Sequence, residues 1–150
     1  MSRKTRVIIV GAGPAGLFLG HLLTRDGIDN VVVERRSRSH VEARVRAGVI
    51  EHGVVQMLVD AGAGERLARE GLVHHGVQMW FDGQRHRIPL SDLAEGRTIT
   101  VYGQQELVKD LISLRVASGA PLEFDAEVVE IDGLSGSSTS IMYELSLIHI

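Results

Sequence analysis

Apolar residues run unbroken through Val7, Ile8, Ile9 and Val10, stop at Gly11, and return at Leu17, Leu19, Leu22 and Leu23. The change from a continuous run to helical spacing predicts a strand over residues 6–10 and a helix over about 15–26. Gly27 is placed to end that helix. Asp29-Asn30 supplies turn chemistry before a second strand over residues 31–34. Residues 35–48 are polar and arginine-rich and read as an ordered loop. Val49, Ile50, Val54, Met57 and Leu58 then recur every three or four positions, predicting a helix over residues 49–61 that ends at Gly62.

From Gly76 the period changes to two. Val77, Met79 and Phe81 alternate with polar residues, Asp82-Gly83 follows, and Arg85 to Leu90 returns, which predicts a β-hairpin. A strand over 98–102, a helix over 104–118 closed by Gly119, and a strand over 122–131 complete the pattern; no repeat is visible. Parallel βαβ order with antiparallel structure inserted predicts an α/β, Rossmann-like fold. Trp80 and Phe81 on the hairpin read as core residues.

Composition narrows the classes. The chain has 150 residues, 44% of them hydrophobic, enough for one domain-sized core. Sixteen basic against nineteen acidic residues, with no basic stripe, argue against a nucleic-acid partner. With no cysteine there is no disulfide, thiol catalysis or cysteine–zinc site, which suits a cytoplasmic protein. The apolar run after Ser2-Arg3-Lys4 is too short for a signal peptide, and no stretch reaches membrane-spanning length.

Gly11-Ala12-Gly13-Pro14-Ala15-Gly16 is a G-x-G-x-x-G motif lying between the first predicted strand and helix. That context is the dinucleotide-binding fingerprint. Gly11 permits the turn, Gly13 admits a pyrophosphate, and Gly16 lets the helix pack closely, with phosphates at the helix N-terminus. Glu34, eighteen positions after Gly16, is spaced to hold a ribose hydroxyl.

Further stretches point to one family. They are residues 7–17, 27–31 and 34–35, then 44–49 (Arg-Val-Arg-Ala-Gly-Val), 60–62, 69–74 (Arg-Glu-Gly-Leu-Val-His) and 98–104 (Thr-Ile-Thr-Val-Tyr-Gly-Gln). On these the chain resembles the flavin-dependent aromatic hydroxylases, most closely the branch acting on 4-hydroxybenzoate, in one register over about residues 5–132. The resemblance implies an FAD-binding domain with an inserted hairpin, truncated, because members are considerably longer. It implies hydroxylation of 4-hydroxybenzoate to 3,4-dihydroxybenzoate with NAD(P)H and O2, in a homodimeric full-length enzyme; the open alternatives are another phenolic substrate or a non-catalytic nucleotide-binding piece. Glu34, with Gly11, Gly13, Ala15 and Gly16, would hold the ADP half of FAD. Arg44, Val45, Arg46, Ala47, Gly48 and Val49 would run beside flavin and pyrophosphate, and Gln104 would contact the cofactor. Arg35, Arg36, His40, Arg44 and Arg46 are implied for NADPH. Arg36 and His40 stand where members often have glutamine and tyrosine, which leaves NADH open.

Among the histidines, His74-His75 invites a metal reading, but neighbours on an extended segment point apart and no acidic cluster joins them. The resemblance implies that His74 ends a proton relay from the substrate phenol to solvent, a task suited to an imidazole. His21, His52, His86 and His149 read as structural or surface residues.

Residues 133–140 are small and polar, like a linker, and the following segment reads as lacking a strand to pair with. Leu-Ser-Leu-Ile-His-Ile at 145–150 matches the translated end of a transposon-derived sequencing adapter. Residues 1–132 are therefore expected to be domain and 133–150 a non-native or disordered tail, the alternative being an ordinary terminal strand.

Overall fold

The computed structural model describes residues 4–136 and 138–145. It divides into two compact units: one ends at Arg44 and resumes at Val108, and the other is Val45–Leu107. In chain order the first carries β1 (Val7–Val10), α1 (Pro14–Arg25), β2 (Asn30–Val33) and α2 (Arg38–Ala43). The second carries β3 (Val49–Glu51), α3 (His52–Asp60), α4 (Glu65–Glu70), β4 (Leu72–His74), β5 (Val77–Phe81), β6 (Gln84–Ile88), α5 (Leu90–Leu93) and β7 (Ile99–Val101). Helix α6 (Gln104–Ala117) starts in the second unit and ends in the first, where β8 (Leu122–Glu123), β9 (Ala126–Asp132) and β10 (Ser140–Leu145) follow. Among the described residues no helix is long and apolar enough to cross a membrane.

In the first unit β1, β2 and β8 form a parallel sheet in the order β1-β2-β8, with Val7 opposite Asn30 and Val10 opposite Val33. A parallel pair needs a crossover, and α1 supplies it, as the change of period predicts. Val32 and Val33 are fully buried, as the central strand of such a sheet requires. Gly20 lets α1 lie close: a Cβ there would stand 2.6 Å from Nη1 of Arg115 and 3.0 Å from Cγ2 of Val32. Arg115 is 1% exposed and donates from Nε and Nη2 to the Pro121 carbonyl at 3.0 and 2.6 Å. Its Nη2 also reaches the Asn30 carbonyl at 3.3 Å, so that three hydrogen bonds offset part of the cost of burying the charge.

The strand expected over 122–131 is two strands. Asp125 takes a positive φ of 55°, and the break leaves β8 with β2 while β9 pairs antiparallel with β10. Ser140 faces Asp132 and Leu145 faces Ala126. This corrects the expectation that the segment after the linker has no strand to pair with: a polar linker sequence carries no information about a partner to which the chain folds back. Residues 146–150, His149 among them, lie outside the described residues.

In the second unit β7 is the centre of a sheet ordered β3-β7-β4, antiparallel on both sides. The helix expected over 49–61 begins at His52, because Val49, Ile50 and Glu51 pair with Val101, Thr100 and Ile99. The arginine-rich loop over 35–48 contains α2, capped by Ser37 Oγ, which accepts from His40 N at 3.3 Å. The hairpin is as expected, with Asp82 and Gly83 both at positive φ. Its aromatics are not core residues: Trp80 is 69% and Phe81 51% exposed. Two strands alone give a side chain little to bury against, and Phe81 instead stacks on His86 with ring centres 3.7 Å apart.

Candidate functional site

The site in the first unit is built where β1 ends. Gly11 has φ +110°, a conformation glycine takes without strain, and its N–H donates to Val33 O at 2.7 Å. Nothing lies within 4 Å of where a Gly13 Cβ would be, so that face of the turn is open. A Cβ at Gly16 would collide with the Gly11 carbonyl oxygen and stand 3.2 Å from Ile9 Cγ2, so the helix seats tightly on the turn only with glycine there. Pro14 opens α1 after Gly13, and no side chain caps the helix. Ala15 lies exposed in this first turn. The uncapped N–H groups and the positive end of the helix dipole make a place for an anion.

Glu34 follows β2 directly and is fixed against the same turn. Its Oε2 accepts from Ala12 N and its Oε1 from Arg36 N, each at 2.9 Å. Each carboxylate oxygen keeps a further lone pair, so both can still accept from a hydroxyl. The spacing rule located Glu34; the backbone clamp through Ala12 carries no sequence signal, because any residue supplies the N–H.

Beside Glu34 opens a cleft of about 600 Å³, lined also by Arg35, Arg36, His40, Ala43 and Arg44. Four of the five residues named from sequence for a nucleotide phosphate thus line one space, with α2 forming part of its wall. Arg46 belongs to the other unit. Three guanidinium-bearing residues around one opening suit a phosphate-rich ligand.

In the second unit Val45, Arg46 and Ala47 are exposed and lead into a corner at Gly48. Gly48 O accepts from Tyr102 N at 2.7 Å. A Cβ on Gly48 would collide with Tyr102 O and lie 2.8 Å from Gly103 Cα. Residues 47–49 are thereby held beside Gln104, the first residue of α6. Tyr102, 5% exposed, is the residue that joins them and was not singled out; its place between Val101 and the Gly-Gln pair was the available signal.

His74 ends β4 opposite Ile99 and is exposed, able to exchange a proton with solvent. His75 leaves the sheet, its carbonyl accepting from Ser91 N at 2.9 Å. Among the described residues no group of three or more His, Asp or Glu could hold a metal ion.

The sequence matches the FAD binding domain family over residues 4–144. It is 44% identical over 128 residues to p-hydroxybenzoate hydroxylase of Acinetobacter baylyi, covering 85% of this chain and 32% of that protein. It is 33% identical over 129 residues to 3-amino-4-hydroxybenzoate 2-monooxygenase of Streptomyces cremeus, covering 81% and 32%. The crystal structure of p-nitrophenol 4-monooxygenase from Pseudomonas putida superposes with a TM-score of 0.78 at 18% identity, over 95% of this chain and 40% of that one. The chain spans about a third of the length of the two curated relatives.

Proposed function

The chain belongs to the FAD-binding domain family of flavin-dependent aromatic monooxygenases, and from that premise we propose that it is the N-terminal part of an enzyme hydroxylating 4-hydroxybenzoate to 3,4-dihydroxybenzoate. The residues present fit the adenylate half of FAD: an uncapped helix start, an open Gly13 face and a carboxylate fixed beside them. The clamp of Glu34 on Ala12 N carries the reading, since it sets an acceptor beside the phosphate-binding turn before any ligand arrives.

In this reading Gly11, Gly13, Ala15 and Gly16 seat the pyrophosphate and Glu34 accepts from the adenosine ribose. Arg44, Val45, Arg46, Ala47, Gly48, Val49 and Gln104 meet the pyrophosphate and flavin. Arg35, Arg36, His40, Arg44 and Arg46 bind the reduced nicotinamide cofactor, NADPH in preference to NADH because the cleft gathers arginines around one opening. Bound FAD supplies the redox and oxygen chemistry. His74 passes the phenolic proton to solvent, from an exposed strand end that water reaches. The full-length enzyme is cytoplasmic and homodimeric. A second substrate is favoured by the Streptomyces relative, whose named substrate keeps the 4-hydroxybenzoate frame and adds an amino group.

The test begins with the purified chain mixed with FAD. A bound flavin spectrum is expected; a colourless protein that FAD does not reconstitute overturns a catalytic role for these 150 residues. Assay of the full reading frame for NADPH oxidation with a series of hydroxybenzoates then decides the substrate. Stimulation by another phenol and not by 4-hydroxybenzoate overturns the first choice.

A further inference from the structure

Arg66 sits on α4, outside every residue assigned a role above, yet two of its contacts converge on one corner and a third holds it from its own helix. Its Nη2 lies 2.7 Å from Glu106 Oε2, in the first turn of α6. Its Nε lies 2.9 Å from Glu70 Oε2, one helical turn further along α4. The guanidinium carbon stands over the Tyr102 ring, 5.9 Å from its centre, within cation–π range. Tyr102 is the buried residue whose backbone holds Gly48, and Gln104 lies two residues from each of Tyr102 and Glu106. One planar cation therefore braces both sides of the turn Tyr102–Glu106: the ring before it and the carboxylate after it. Glu70 holds the cation in place in turn.

We propose that Arg66 is a positioning residue for the Gly48–Tyr102–Gln104 corner, fixing the backbone that meets the flavin ring. The inference rests on the flavin reading above and adds a residue that touches no cofactor itself. The branched guanidinium is what the geometry uses, because a lysine ammonium could pair with one carboxylate but offers no second arm to reach the other carboxylate and the ring at once.

The experiment titrates FAD and ADP separately into the 150-residue chain as wild type, R66M and R66K, and records visible circular dichroism of the bound flavin. ADP reports on the glycine turn and Glu34 in the first unit, while far-ultraviolet circular dichroism and the urea midpoint of each variant control for folding of the second. The expected result for R66M is FAD affinity lower by about three- to fivefold, the range for a partly exposed ion-pair network. ADP affinity stays unchanged and the flavin dichroism band changes shape, while R66K recovers part of the FAD affinity. Equal FAD affinity and an identical band in R66M overturn the inference. A parallel loss of FAD and ADP affinity also overturns it, since Arg66 would then be stabilising the fold at large. A wild-type chain that binds ADP but gives FAD no advantage overturns the flavin assignment of the corner itself, a different failure.

Discussion

Glu34 and Gly16 act at opposite ends of the same turn, one by charge and one by lacking a side chain. Glu34→Gln keeps the shape and removes the charge from an acceptor aimed at a ribose hydroxyl. FAD binding is expected to weaken by about 1.5–3 kcal/mol, the worth of a charge-assisted hydrogen bond. Fluorescence titration of FAD measures it, and an unaltered dissociation constant would remove Glu34 from the site. Gly16→Ala instead drives a methyl into the Gly11 carbonyl oxygen, which is backbone and cannot step aside. The expected cost is about 1–3 kcal/mol of stability, as for an overpacked core position. Urea unfolding reads it. Both residues were legible from spacing alone, because the motif encodes a backbone path that few residue types can follow. Tyr102 was not, since its role lies in an N–H bonded to a residue more than fifty positions away.

At the level of elements, three of the most specific sequence stretches prove to be one object. Residues 44–49 lead into β3, residues 69–74 and 98–104 contain β4 and β7, and β7 pairs with both neighbours. Gly71 belongs to this packing: a Cβ there would stand 2.7 Å from Thr100 Cγ2. The periodicity of residues 49–61 could not reveal that its first three residues are a strand. Val49 and Ile50 suit either element, and the choice was made by β7. Beside this sheet, Glu70 has its pKa held below the usual glutamate range, chiefly by its hydrogen bond with Arg69 and further by Arg66. Desolvation opposes this, second in size only to the Arg69 hydrogen bond. A lowered folded-state pKa means the unfolded chain takes up the proton first as pH falls. The stabilisation is therefore present above the unfolded pKa of Glu70 and is lost as pH drops through its folded value. Glu70→Gln is expected to flatten that part of the acid branch in a plot of unfolding midpoint against pH; an unchanged acid branch would show that the pairs contribute nothing.

Across the whole chain, the least expected pairing is β9 with β10. Val31, Val33 and Ala126 form a buried cluster against which Ile8, Val128 and Ile141 pack. Ending the chain at Asp132 removes Ile141 and exposes the β9 edge. Loss of about 1–2 kcal/mol is expected from the apolar surface of Ile141 alone, short of full burial. A truncated chain with an unshifted urea midpoint would mean that β10 is dispensable and would favour a tail foreign to the domain.

The sequence by itself determined the βαβ start, the glycine turn, Glu34, the hairpin turn and the family, because each is written in neighbouring residues through period, φ preference or fixed spacing. Tertiary structure alone decided that Val49–Glu51 is a strand, that residues 122–131 break at Asp125, and that Trp80 and Phe81 stay exposed. It also decided that Arg115 is buried under Gly20 and that Arg66 reaches Tyr102 and Glu106. Each of these depends on a partner distant in sequence, and periodicity reports which face of an element is apolar without naming what will cover it.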